Sequence, residues 1–274
     1  MLGGHFMKKV MIFVAPVSHT VKGSRLRPDD VAHEVIECAH AGATMVHLHV
    51  RDEMGNQCFD LTHFKKTLDI IRAESDILIQ GSTGGLSDLS LEDRCVSVTE
   101  PRVQTASLNM GSTNFGEDVY INTIPDIRFW AEQIDKNGVI PEFEVFEPGM
   151  IHSVTELEKE GYFLKKPWLF NIALGFPGAL PATAEALSCM VRFIPEGALW
   201  GLSVHGMTDL QLHAMALGLG ADFIRVGFED GISVSGGCFD ENVRQVEALA
   251  QLIRLSGNEV ASLSDAKKIL GINK

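Results

Sequence analysis

Along the whole chain, short apolar runs alternate with stretches of helical periodicity. Eight runs read as strands, at 10–16, 44–50, 76–81, 105–110, 139–146, 168–174, 198–204 and 223–227. Helical patterns occupy 29–41, 62–74, 125–137, 182–193, 208–219, 240–255 and 262–270. The first follows Pro28 with Asp29 and Asp30, as a helix N-terminus favours, and stops at Gly42. In the second, Phe64, Leu68 and Ile71 fall on one stripe. Strands that alternate with helices lie parallel, because a parallel pair needs a crossover connection. Eight such units in 274 residues predict a closed (β/α)8 barrel, a single TIM-barrel domain over 1–274. The rival is an open doubly wound sheet. That fold usually carries G-x-G-x-x-G after an early strand, and the sequence has none.

Charge narrows the partners. Lysines and arginines number 23 against 36 acidic residues, a net charge of −13 that repels a phosphate backbone. No nucleic acid is expected, and no membrane either: no apolar run reaches the roughly 18–20 residues of a span. The apolar run after Lys8-Lys9 is short and β-branched, with no A-x-A-like site, so it reads as a first strand rather than a leader. The five cysteines (Cys38, Cys58, Cys95, Cys189 and Cys238) are odd in number and form no C-x-x-C pair. Reduced thiols and a cytoplasmic setting follow.

In a barrel the chemistry sits at the C-terminal ends of the strands. There His47 and His49 share a face by the period of two and make half a metal site; the bland alternative is two histidines of a polar core. Arg225, Gly227 and Glu229 share a face at the last strand's end, where Gly227 would leave room for a ligand. Closure brings strand eight round to strand one, where its carboxylate can approach the strand-two imidazoles, so Glu229 can complete a three-donor set with an open position. Asp230, an unligated carboxylate beside Arg225, reads as a general base. The competing reading is a structural ion pair at the barrel mouth. Gln80-Gly81-Ser82-Thr83-Gly84-Gly85 is either an anion-binding loop or a tight turn, and it lacks the lysine of a Walker loop. Ser107 and Asn109 share the inward face of strand four, as ligand contacts or as their support. Glu142 and Glu144 share a face of strand five, so one of them contacts substrate or holds an imidazole N–H. His205 has similar status; the remaining histidines read as surface or satisfied.

With these residues in place, the chain resembles the zinc-dependent β-keto acid cleavage enzymes. The matching segments are HLHVRDEMGNQ (47–57), QGSTGG (80–85), SLNMGSTNFG (107–116), PEFEVFEPGM (141–150) and RVGFED (225–230). The resemblance implies a (β/α)8 barrel, assembled as a homotetramer, that converts a β-keto acid and acetyl-CoA to acetoacetate and a new CoA thioester. It implies zinc on His47, His49 and Glu229, and Asp230 with Arg225 as the base dyad. Ser82 and Gly85 match the loop that holds the substrate carboxylate, with Ser107 beside it. Asn109 and Glu144 are the further substrate contacts expected at this mouth.

One departure bears on substrate. The family's aminohexanoate enzyme has a carboxylate just after strand one, whereas segment 17–27 here holds His19, Lys22 and Arg25 and no acid before Asp29. An ammonium would be poorly held there, so a β-keto acid with a neutral or anionic distal end is expected. The functional rival is a metal-dependent amidohydrolase. Those enzymes need histidines at the ends of strands five and six, which here read EVFEPG and IALGFPG.

Overall fold

The computed structural model describes residues 7–17, 26–85, 88–206, 209–230 and 241–272. The chain runs β1 (Lys9–Val14), α1 (Pro28–Ala41), β2 (Met45–Leu48), α2 (Thr62–Glu74), β3 (Leu78–Gly81), the four-residue α3 (Leu91–Arg94) and β4 (Val103–Asn109). A hairpin, β5 (Thr113–Phe115) and β6 (Asp118–Tyr120), precedes α4 (Ile124–Lys136). Then come β7 (Ile140–Val145), α5 (Pro148–Lys159), β8 (Leu169–Leu174), α6 (Ala184–Val191), β9 (Leu199–Val204), α7 (Gln211–Gly218) and β10 (Phe223–Val226). Last are α8 (Asn242–Leu255), β11 (Glu259–Val260) and α9 (Leu263–Leu270).

Eight parallel strands close on themselves in the order β1-β2-β3-β4-β7-β8-β9-β10, with β10 back on β1. This is the (β/α)8 barrel, and each of the eight expected strands lies in it. Period two divides the strand residues between two cores. Val10, Ile12 and Val14 of β1 face the helix layer with Val35, Leu68, Ile71 and Trp130. Met11 and Phe13 face the barrel axis with Met45, Leu78, Leu169 and Phe223. Phe13 and Phe223 stack at 4.3 Å, and Ala266 and Leu270 of α9 close this inner core from outside the strands' N-terminal ends. One layer higher the interior turns polar: His47, Gln80, Thr105, Ser107, Glu142, Asn171, Ser203 and Arg225 are all buried there.

Several elements escape the sequence pattern. No helix is expected between strands five and six, yet Pro148 opens α5, whose Met150, Ile151, Val154 and Leu157 are buried. The β5–β6 hairpin is too short to show alternation.

Candidate metal centre and barrel mouth

β2 carries His47 inward, and His49 follows two residues on. Their Nε2 atoms are 3.3 Å apart, and each lies 3.4 Å from Glu229 Oε1. The edge of a tetrahedron with metal–ligand bonds of about 2.0–2.1 Å is about 3.4 Å, so the spacing suits one ion shared by three donors. Their chemical states suit it too. Gln80 Oε1 accepts from His47 Nδ1 at 2.6 Å, which leaves Nε2 bare. Burial depresses the His47 pKa, with help from Arg225 and His49 against the opposing pull of Glu229 and Glu144. Burial alone would raise the Glu229 carboxyl, but the imidazoles and Arg225 outweigh it and hold it well below the usual carboxylate range. A metal needs deprotonated ligands of this kind.

Glu229 does not reach the site by strand periodicity. β10 stops at Val226, and Gly227 takes φ +132°. A Cβ there would lie 2.3 Å from the carbonyl oxygen of Ala15, so the space expected for a ligand is filled by the backbone just after β1. The chain then turns: Glu229 N–H donates to Ala15 O (3.1 Å) and Asp230 N–H to Gly227 O (3.1 Å).

Beside the three donors lies a second cluster. Buried Arg225 makes a bidentate pair with Asp230, through Nε at 2.7 Å and through Nη2, and donates from Nη1 to Glu144 at 3.0 Å. Glu229 is 3.9 Å from its Nη2. Burial works against the Arg225 charge, but Asp230 and Glu144 more than restore it.

The loop after β3 is pinned from within. Gly84 N–H donates to Ser82 Oγ (3.1 Å), Gly85 N–H to Tyr120 Oη (3.0 Å) and Thr83 Oγ1 to Ser107 O (2.6 Å). Two of the amides expected to meet an anion are therefore spoken for. Gly85 has φ +117°, and a Cβ on it would lie 2.1 Å from Gln57 Nε2. Gln57 also touches His49 Nδ1 at 3.0 Å, joining this loop to the three donors. On β4, Ser107 and Asn109 are both buried; Asn109 Nδ2 has no partner. His205 stacks on Phe176 at 4.6 Å.

Four neighbours carry no role of their own in the sequence reading: Gln57, Gln80, Tyr120 and Arg51. Gln80 and Arg51 were within reach of the period-two rule, Arg51 being two residues beyond His49. Arg51 is buried, donates to Gly55 O at 2.7 Å, and its Nε has no partner. It shares a pocket wall with His49, Val17, Leu26 and His63. Val17, Leu26 and Arg27 are the described ends of the 17–27 segment; His19, Lys22 and Arg25 lie outside the described residues.

The β-keto acid cleavage enzyme family matches residues 9–272. The chain belongs to that family. Two relatives named 3-keto-5-aminohexanoate cleavage enzyme, from Fusobacterium nucleatum and Acetoanaerobium sticklandii, are 34% and 35% identical over 249 residues, 90% of this chain and of each relative. A Cupriavidus necator relative named 3-oxoadipate:acetyl-CoA acetyltransferase is 30% identical, covering 85% of this chain and 82% of its own. A solved ternary complex of ObcA with a C4-CoA adduct and oxalate shares the fold, with a TM-score of 0.70 at 20% identity over 91% of this chain and 67% of that one. Nothing in these matches favours an amidohydrolase, and β7 and β8 end without histidines.

Proposed function

We propose that this enzyme transfers the acyl group of a β-keto acid to CoA, releasing acetoacetate, with zinc bound by His47, His49 and Glu229. The observation that carries it is the three-donor set at tetrahedral spacing beside the Arg225–Asp230 pair. Two imidazoles and a carboxylate suit zinc, and when bound there it supplies Lewis acidity toward a keto oxygen. The Ser82 hydroxyl, which accepts from Gly84 and keeps its own proton, orients the substrate carboxylate with Ser107, while Gly85, its N–H given to Tyr120, shapes the loop beside them. Asn109 Nδ2 and Glu144 are further contacts. Asp230, held by Arg225, removes a proton; its oxygens keep lone pairs beyond those given to Arg225. With that proton gone from C2, C2 attacks the acetyl carbonyl of acetyl-CoA and displaces the CoA thiolate. The thiolate adds to the keto carbon, the bond between the keto carbon and C2 breaks, the acyl group leaves as its CoA thioester, and C2 takes the proton back as acetoacetate is released.

Arg51 supports a neutral or anionic distal end: it is a buried cation with an unused N–H in a pocket that shares His49. Four described cysteines are free, which supports a cytoplasmic setting, and a homotetramer is what the family resemblance implies. The test is a side-by-side assay of dicarboxylic, uncharged and aminated β-keto acids with acetyl-CoA, reading acetoacetate. The dicarboxylic or uncharged acid should give the highest kcat/KM. A preference for the amine would overturn the distal-end reading; no acetoacetate from any of them would overturn the function.

A further inference from the structure

Behind the three donors runs a line of buried side chains that the chemistry above leaves unused. Glu142 of β7 is 0% exposed, as is Asn171 of β8; Gln80 of β3 is 1% exposed. Gln80 Nε2 donates to Glu142 Oε2 at 2.9 Å, and Asn171 Nδ2 donates to Glu142 Oε1 at 3.2 Å. The other end of the Gln80 amide meets His47 Nδ1. β2 and β3 set this meeting, because His47 and Gln80 are register partners.

We propose that Glu142 is a positioning residue: by accepting from Gln80 it sets the direction of the hydrogen bonds and holds His47 in the tautomer whose Nε2 can take a metal. The inference rests on the metal reading above.

The argument is one of donors and acceptors. A carboxylate only accepts, so Gln80 must turn its NH2 toward Glu142. Its oxygen then faces His47 and can only accept, so the imidazole hydrogen must be on Nδ1. A neutral imidazole carries one N–H, and Nε2 is therefore bare where it faces His49 and Glu229. The reversed amide would set its oxygen against Glu142 and strip the network of two bonds among fully buried groups. Met45 Sδ, 3.7 Å from Gln80 Nε2, adds a weak acceptor on the same side. Asn171 commits likewise: its NH2 goes to Glu142 while its Oδ1 is left without a partner. Burial pushes the Glu142 carboxyl up to about 7, against the Arg225 charge and the hydrogen bonds from Gln80 and Asn171, so the acceptor-only form is complete above that pH, and the spectra below are compared there.

Glu142→Gln tests this with almost no change of shape. The new amide can donate as well as accept, so Gln80 is free to turn over and present its NH2 to His47 Nδ1. In metal-free protein, long-range 15N–1H correlation spectra should show the His47 hydrogen on Nδ1 in the wild type and moving to Nε2 in the variant. Zinc Kd, read by calorimetry, should weaken about 10–100-fold, the range for lost support of a metal-bound histidine. Adding Gln80→Glu to Glu142→Gln puts an acceptor-only group directly on His47 Nδ1, and both the tautomer and the affinity should return. An unchanged tautomer in Glu142→Gln overturns the proposal, whatever the affinity does, and so does failure of the double variant to recover the Nδ1 form. If the wild type binds no zinc, the functional reading fails, and the tautomer spectra still decide this one.

Discussion

Arg225 spends its guanidinium on two carboxylates, Asp230 and Glu144, and stands 3.9 Å from the third, Glu229. That division gives the acids different work. Glu229 faces the imidazoles, while Asp230 is held at a fixed angle by Arg225. Asp230→Asn should leave zinc affinity within a few-fold of the wild type and lower kcat by about 10²–10⁴, the usual share of a general base. Calorimetry and steady-state kinetics check this, with the melting curve alongside, because Arg225 loses half of a buried ion pair. Near-normal turnover per folded molecule would move the base elsewhere, with Glu144 next in line. At this scale the histidines were legible, since period two is a property of any strand. Glu229 was legible as a residue type only. What brings it in is a turn at Gly227 forced by the Ala15 backbone, a contact across 212 positions that no local pattern carries.

Elements were readable where burial is one-sided. α2 runs Thr62–Glu74, and its buried Phe64, Leu68 and Ile71 are the stripe seen in the sequence. α7 shows the converse. It is apolar nearly all round, so nothing in its pattern says which way His213 points, and the ring reads as surface or satisfied. It is in fact buried, and neither ring nitrogen has a partner. Burial pushes its pKa down from 6.5 to about 4, with Asp209 opposing. The folded protein therefore binds fewer protons than the unfolded chain between those values. The stability tied to the neutral ring is complete above pH 6.5 and is lost as pH falls toward 4, by up to about 3 kcal/mol. His213→Leu removes that loss. Urea unfolding at pH 7 and pH 4.5 should show the variant gaining on the wild type as pH drops; parallel behaviour at both pH values would mean that the ring protonates without cost.

The whole molecule divides along the barrel axis. Polar side chains fill the end where strands finish, and a dry core capped by α9 fills the other. The closed barrel was legible from eight strand–helix units, because parallel strands leave few other ways to bury both faces. The docking of α9 beneath the barrel was not, since its partners are spread from Met11 to Phe223. Leu270→Ala should remove apolar contact at that end and cost about 2–5 kcal/mol, as core truncations do. Zinc at 100 times its Kd should add about 2.7 kcal/mol by mass action. If the two ends are independent, the increments add: the variant should lose the same amount with and without zinc, and its zinc Kd and kcat/KM should match the wild type below its melting range. Urea midpoints of both proteins, each with and without zinc, form the cycle that measures this. An interaction energy above about 0.5 kcal/mol would show that the α9 plug and the barrel mouth are coupled through the strands between them.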